Sequence, residues 1–234
     1  VEKRAVFDSA ERAGAHRTFL CEEPLAAAIG AGLPVSEPTA SMIVDIGGGT
    51  TDVGIISLGG MVTARNIRIA GDRFNADIVS YIRNEFKTLI GEKSAEEVKI
   101  AIASIAPARN HIEAAVRGRD LVTGLPREIV VSDQDIRNAI GHSIEELVEA
   151  IKDVIESTPP EIVGDVMRRG VHMAGGGALI RGLPEYIASA LGVEVVVATD
   201  PLTAVVRGTG IILEDMDLYR EAIIPREDDL VPSE

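Results

Sequence analysis

Ser41-Met-Ile-Val-Asp-Ile-Gly-Gly-Gly-Thr-Thr-Asp-Val-Gly-Ile-Ile-Ser-Leu58 decides the fold: an apolar run, three glycines between two aspartates, and a second apolar run. Ser41–Ile46 and Val53–Leu58 read as the strands of a hairpin closed by Gly47-Gly48-Gly49. A matching arrangement recurs at Val171-His-Met-Ala-Gly-Gly-Gly-Ala-Leu179, where Gly175-Gly176-Gly177 follows another short apolar run. Glycine turns at positive φ and lets backbone approach a ligand closely. Successive unhindered N–H groups form a concavity for anions. Two such loops, each ending a buried strand, point to a phosphate chain gripped from two sides, so both triplets are expected to face one cleft.

Composition narrows the partners. Of 234 residues, 46% are hydrophobic but only 3% aromatic, with no Trp, so the core is aliphatic. Lys and Arg number 23 against 37 Asp and Glu, a net charge of −14. That balance argues against nucleic acid and against electrostatic attachment to anionic lipid. It does not argue against a nucleotide, because backbone N–H groups and a cation supply local positive charge. The single cysteine, Cys21, excludes an internal disulfide, fits a reducing compartment and reads as a small buried residue. The sequence contains no apolar run of about 18 residues and no signal-peptide pattern. The chain begins at Val1 inside a charged helical pattern, Glu2 to Ala13, and is expected to be a fragment.

Arg17–Cys21 reads as a strand, and Pro24 suits the first turn of an Ala-rich helix to Ala31. After the first glycine loop come a turn at Gly59-Gly60 and a strand over Met61–Ile69. Phe74, Ile78, Ile82, Phe86 and Leu89 predict a helix from Arg73 to Leu89, capped by Asp72 and ended by Gly91. Ser94-Ala-Glu-Glu97 has the capping-box pattern and predicts a helix to about Ser104. Residues 112–126 read as short strands and turns, and Glu128–Val131 as a strand. Ser132-Asp-Gln-Asp135 opens the longest helix, to about Ser157. A shorter helix ends at Gly170, and another follows the second glycine loop to Leu191. Val193–Ala198 is a strand, Ala204–Leu213 a small-residue helix that packs closely, and the tail from Glu214 is acidic. The class is α/β.

In the first loop, the amides of Gly48, Gly49 and Thr50 would face phosphates, and Asp45 would hold a divalent cation through water. The plain alternative is a tight hairpin with an acidic rim. Gly176, Gly177, Ala178 and Leu179 would approach the ligand from the opposite wall; the alternative is an ordinary strand-to-helix turn. Glu23 would orient a water for attack on a terminal phosphate. Chemistry alone gives more weight to Glu23 as a residue favoured by the helix dipole. Glu96, Glu97, Val98 and Lys99 would recognise ribose and base, but from residue types alone they read better as a helix start and a solvated face. His16, His111, His142 and His172 show no metal-ligand spacing.

These residues carry a resemblance that runs nearly end to end. Asp45-Ile-Gly-Gly-Gly-Thr-Thr-Asp52 resembles the second phosphate motif of the actin, Hsp70 and sugar-kinase superfamily, and Met173–Leu179 its adenosine motif. Glu22-Glu-Pro-Leu-Ala-Ala-Ala-Ile-Gly30, Ala70-Gly-Asp-Arg-Phe74, Val116-Arg-Gly-Arg-Asp120, Gly124-Leu-Pro126, Thr158-Pro-Pro-Glu161 and Asp200-Pro-Leu202 are similar to the MreB family of rod-shape-determining bacterial actins. The resemblance implies an actin-like (ribonuclease H-like) ATPase fold, two lobes around a nucleotide cleft, with lobe II complete and lobe I partial. Residues 1–40 would end the core of lobe I, 41–90 and 132–200 would form the core of lobe II, 91–131 its small inserted subdomain, and 201–234 the return to lobe I with an acidic tail. It implies ATP and Mg2+ as cofactors. Glu23 matches the glutamate that acts on the attacking water, Thr50 the threonine beside the γ-phosphate, and Glu96 to Lys99 the segment at the nucleoside. It implies nucleotide-dependent filaments at the inner face of the cytoplasmic membrane, with slow ATP hydrolysis, that direct cell-wall synthesis and rod shape. The implied partners are other copies of the protein and the cell-wall elongation machinery, with no nucleic acid. Alternatives are an Hsp70-like chaperone ATPase, a sugar kinase, and a non-hydrolysing actin-fold scaffold. Departures are the absence of the family's first phosphate motif, of the upper part of lobe I and of its N-terminal membrane-inserting element, and Asp52 where many members have Glu. This chain alone is therefore expected to bind ATP weakly or undetectably and to form no nucleotide-dependent filaments.

Overall fold

Strand pleating and the parallel pairing of Met42–Asp45 with Val171–Ala174 organise the molecule. The computed structural model describes residues 2–106 and 112–224. The chain opens with helix α1 (Glu2–Arg12), a two-residue strand β1 (Leu20–Cys21) and helix α2 (Glu23–Gly30). Strands β2 (Ser41–Ile46), β3 (Thr51–Ser57) and β4 (Gly60–Ile67) form an antiparallel meander. After helix α3 (Gly71–Glu85) come β5 (Thr88–Leu89), α4 (Glu92–Ile102), β6 (Glu113–Asp120) and β7 (Pro126–Ser132), whose three strands form a separate sheet. Helices α5 (Asp133–Glu156) and α6 (Pro160–Arg169) lead to β8 (Val171–Ala174). A 3₁₀ turn (Gly176–Leu179), α7 (Leu183–Leu191), β9 (Val195–Val197), α8 (Ala204–Glu214) and β10 (Ile223–Ile224) complete the described chain. The main sheet has the order β4-β3-β2-β8-β9, in which β8 lies parallel to β2 and β9 parallel to β8. β1 pairs with β10.

Alternate residues of a strand face opposite sides of its sheet. Met42, Val44 and Ile46 face one core with Phe74, Ile78, Ile82 and the apolar stripe of α5. Ile43 and Ile56 face a second core built from α2 and α8. By the same alternation Asp45 and Asp52, direct partners across the hairpin, fall on the side of Ile43, towards α2.

Several predicted boundaries move. α3 ends at Glu85, not Leu89, because Thr88 and Leu89 pair with Asp120 and Arg119 and Lys87 turns into the left-handed region (φ 50°). Its N-cap is Ala70; Asp72 sits in the first turn and caps nothing. Gly91 starts α4 instead of ending α3, and the predicted capping box at Ser94 does not form, since Ser94 already lies inside the helix. Residues 113–120 are one continuous strand. A capping box forms instead at Ser132, where the longest helix opens as predicted: its side chain accepts from the Asp135 amide, and the Asp135 carboxylate accepts from the Ser132 amide. Cys21 is half-buried, and burial pushes its thiol pKa up, helped by Glu22 and Glu23. The distal acidic tail, residues 225–234, and His111 lie outside the described residues.

Helices α2 and α8 cross with their backbones touching. A Cβ on Gly30 would lie 1.8 Å from the Ala204 carbonyl oxygen, and one on Gly208 would lie 1.8 Å from that of Ala26. Gly141, in α5, has open space around it. Gly208→Ala should therefore lower stability by about 3 kcal/mol or more, because the clash is with backbone rather than with a side chain that can turn aside. Gly141→Ala should raise stability by about 1 kcal/mol through helix propensity. Urea unfolding of the two variants checks both signs.

Candidate functional site

Because β2 and β8 run parallel, with Asp45 opposite Ala174, both glycine loops leave the sheet at the same end. Between them lies a cavity of about 570 Å³, within the usual range for a small-molecule site. Gly47 and Gly48 line one side and Gly175, Gly176 and Gly177 another.

The first loop is tied down by its carbonyls. Gly71 and Asp72, at the start of α3, donate their amides to the carbonyls of Gly47 and Gly48 at 3.1 and 2.8 Å. The Gly47 amide closes the loop onto the Thr50 carbonyl at 2.9 Å. The amides of Gly48, Gly49 and Thr50 have no acceptor among the described residues, which leaves three adjacent donors for an anion. The second loop is pressed against the first. Gly175 has φ 78°, and a Cβ there would lie 2.3 Å from the Ile46 carbonyl oxygen and 2.4 Å from Oδ1 of Asp45. A Cβ on Gly177 would lie 2.2 Å from Cγ2 of Ile46.

Three carboxylates meet beside the first loop. Asp45 is 5% exposed, and its carboxylate has no hydrogen-bond partner among the described residues. Burial, then Glu23 and Asp52, push its pKa up to about 6. Burial and Asp52 also raise the pKa of Glu23. Asp52 accepts from the Thr50 hydroxyl at 3.1 Å and from Nδ2 of Asn66 at 2.8 Å. The described residues hold no group of three or more His, Cys, Asp or Glu arranged as a direct metal cage. The donor set suits a hard cation reached by Asp45 through water and shared with an anionic ligand. At the other end the wall is apolar: Ile100, Leu179 and Leu202 are 74%, 54% and 66% exposed. Between the two ends, Lys99 donates to the Gly71 carbonyl at 3.1 Å, and burial lowers its pKa against the pull of Glu96 and Asp72. Free amides and carboxylates at one end and apolar walls at the other fit a nucleotide with its divalent cation.

Of the residues singled out from sequence, Glu23, Asp45, Gly48, Glu96, Lys99, Gly176, Gly177 and Leu179 line the cavity. Gly49, Thr50, Glu97, Val98 and Ala178 do not. Thr50 turns its hydroxyl to Asp52, Glu97 faces solvent beside Lys93, Val98 is in the core, and Ala178 is buried. Helix geometry explains the mixed result on α4. Positions i, i+3, i+4 and i+7 share a face, so Glu96 and Lys99 are joined there by Ile100 and Ala103, not by Glu97 and Val98. Sequence reasoning missed Gly71, Asp72, Ile100, Arg181, Leu202 and Val205. The available signal was Ile100, an apolar residue on an otherwise charged helical face.

Asp45 yields a test of the electrostatics. A carboxyl whose pKa rises from 3.8 to about 6 binds more protons folded than unfolded, so stability falls as pH rises through that window and stays low above it. Asp45→Asn should remove this slope. At pH 7.5, without divalent cation, it should raise stability by about 2 kcal/mol, allowing for screening by cavity water. Urea unfolding at several pH values reads it.

Comparison with known proteins adds a family. The profile described as "MreB/Mbl protein" matches residues 1–221. The chain is 46% identical over 217 residues to the cell shape-determining protein Mbl of Bacillus subtilis (strain 168), covering 93% of this chain and 65% of that protein. It is 48% identical over 219 residues to the cell shape-determining protein MreB of Escherichia coli (strain K12), covering 94% and 63%. The chain thus spans slightly less than two thirds of the length of these curated relatives. Among solved structures, MreB 5 of Spiroplasma citri bound to AMPPNP superposes with a TM-score of 0.89 at 39% identity, over 94% of this chain and 66% of that one. The MamK double helical filament shares the fold, with a TM-score of 0.77 at 23% identity, over 91% and 64%.

Proposed function

This chain belongs to the MreB/Mbl family, and on that footing we propose that it is the nucleotide-binding part of an actin-like cytoskeletal protein that forms ATP-dependent filaments and determines cell shape. The observation that carries the reading is the pair of glycine loops facing one another across a single cavity, at the same end of two parallel strands. The B. subtilis and E. coli relatives are named for determining cell shape, which favours this reading over a chaperone or a sugar kinase.

In this reading the amides of Gly48, Gly49 and Thr50 receive the phosphates, and Gly176, Gly177 and Leu179 close on the nucleotide from the other side, with the buried Ala178 supporting them. Glu96 and Lys99 face the ribose, with Glu97 and Val98 supporting them from the same helix, and Ile100 and Leu202 cover the base. Asp45 holds Mg2+ through water. Bound Mg2+ supplies charge neutralisation for the phosphates. Glu23 orients the attacking water and takes its proton; burial and Asp52 raise its pKa, which makes it a stronger base than a free carboxylate. Thr50, fixed by Asp52, stands beside the terminal phosphate. Residues 41–90 and 132–200 form the core of lobe II, 91–131 its small subdomain, and 1–40 with 201–234 belong to lobe I. α2 and α8 pack on the face of the main sheet opposite to α3 and α5. No helix among the described residues is long and apolar enough to cross a membrane. We place the filament at the inner face of the cytoplasmic membrane as a peripheral element working with the cell-wall elongation machinery.

Mg-ATP binding to the chain, followed by NMR so that millimolar affinities register, tests the site. Shifts at Gly47–Thr50 and at Gly175–Leu179 that vanish with chelator are the expected result; shifts at only one loop would sink the reading. In a protein of the family's whole length carrying this sequence, Glu23→Ala should leave ATP affinity within about threefold and slow hydrolysis by roughly 10²–10⁴. Single-turnover hydrolysis beside equilibrium binding separates the two effects, and lost binding with unchanged turnover would make Glu23 structural.

A further inference from the structure

Arg181 stands where the apolar walls of the cavity meet. It lies two residues after the 3₁₀ turn Gly176–Leu179 and lines the cavity. Its Nε donates to the Ala103 carbonyl at 3.3 Å, and one of its Nη groups donates to that of Ala101 at 2.8 Å. Its own carbonyl accepts from the Ile105 amide at 2.7 Å, and it forms a parallel bridge with Ser104. The last carbonyls of a helix have no partner inside it. A guanidinium answers two of them at once, because its donors are fixed in one plane. From the far side Arg137 donates to the carbonyls of Ser104 and Ala106 at 3.0 and 2.7 Å. The final turn of α4, which presents Lys99, Ile100 and Ala103 to the cavity, is thus tied to the second glycine loop through Arg181.

We propose that Arg181 is a positioning residue for nucleoside recognition: it sets the spacing between the Ile100 wall and the Leu179 wall, so that the slot between them admits a flat base. The inference rests on the nucleotide reading above. Two of the guanidinium's N–H groups are spent on carbonyls of α4, so Arg181 acts on the base through the helix it holds. The triphosphate is received elsewhere, by the first loop, and should not sense Arg181.

The test compares Mg-ATP with Mg-tripolyphosphate, which lacks the nucleoside, on the unchanged chain, Arg181→Ala and Arg181→Lys. NMR titration gives both affinities, and amide hydrogen exchange without ligand follows the clamp itself. In Arg181→Ala, ATP affinity should fall about tenfold, the order expected for losing one to two hydrogen bonds, while tripolyphosphate affinity stays within about twofold. Amides of residues 99–105 should exchange faster while those of β2 and β8 do not change. Lysine, a single point donor, should restore little of the ATP affinity. Equal loss of both ligands, unchanged ATP affinity, or unchanged exchange at 99–105 would each overturn the inference while leaving the nucleotide reading standing. Failure of the unchanged chain to bind either ligand would overturn that reading and the inference with it.

Discussion

Four residues of parallel pairing, Met42–Asp45 against Val171–Ala174, support everything else in this structure. The two segments are far apart in sequence, and α3, α4, α5, α6 and a three-stranded sheet lie between them. Their alignment puts two glycine loops at one sheet end instead of opposite ends. Had β8 run the other way, each loop would be an isolated turn. Both strands are wholly or nearly buried, as strands covered on both faces are, and that burial is what holds the alignment against the entropy of the long connection.

The pleat then places the charges. Asp45 and Asp52 are partners across the hairpin, so they must share a face, and α2 brings Glu23 to the same face. Burial first, then the neighbouring carboxylates, push Asp45 up to about 6, so its charged form is disfavoured unless a cation meets it. A site that opposes its own charge is stabilised by whatever brings positive charge to it. Ligand binding and folding are therefore linked here through one buried carboxylate.

The legible part of the chain was whatever local rules decide. The glycine hairpin, the helix start at Ser132 and the extent of α5 depend on residues a few positions apart, and they stand close to where the sequence puts them. Periodicity alone carries α3 too far, because it continues through Phe86 and Leu89, whereas the chain turns at Lys87 and the pairing of β5 with β6 takes Leu89 out of the helix. At the site, glycines announce close backbone approach, so the loops were readable. Thr50 sits off the cavity wall because its hydroxyl turns to Asp52, which is itself held by Asn66 on a third strand. Arg181 gave no signal, since its partners are carbonyls, which every residue has, on a helix distant in sequence.

The crossing of α2 and α8 fixes where the far end of α2 stands. Sliding either helix along the other would bring a side chain into a gap that only Gly30 and Gly208 leave open. The contact has two points, Gly30 on the backbone of Ala204 and Gly208 on that of Ala26, and two points hold a direction as well as a position. Glu23 lies at the opposite end of α2 from Gly30, about 10 Å away at the usual helical rise. At that end Pro24 rests on Gly54, where the sheet presents no side chain. Two glycines that do not line the cavity thus aim the carboxylate that does.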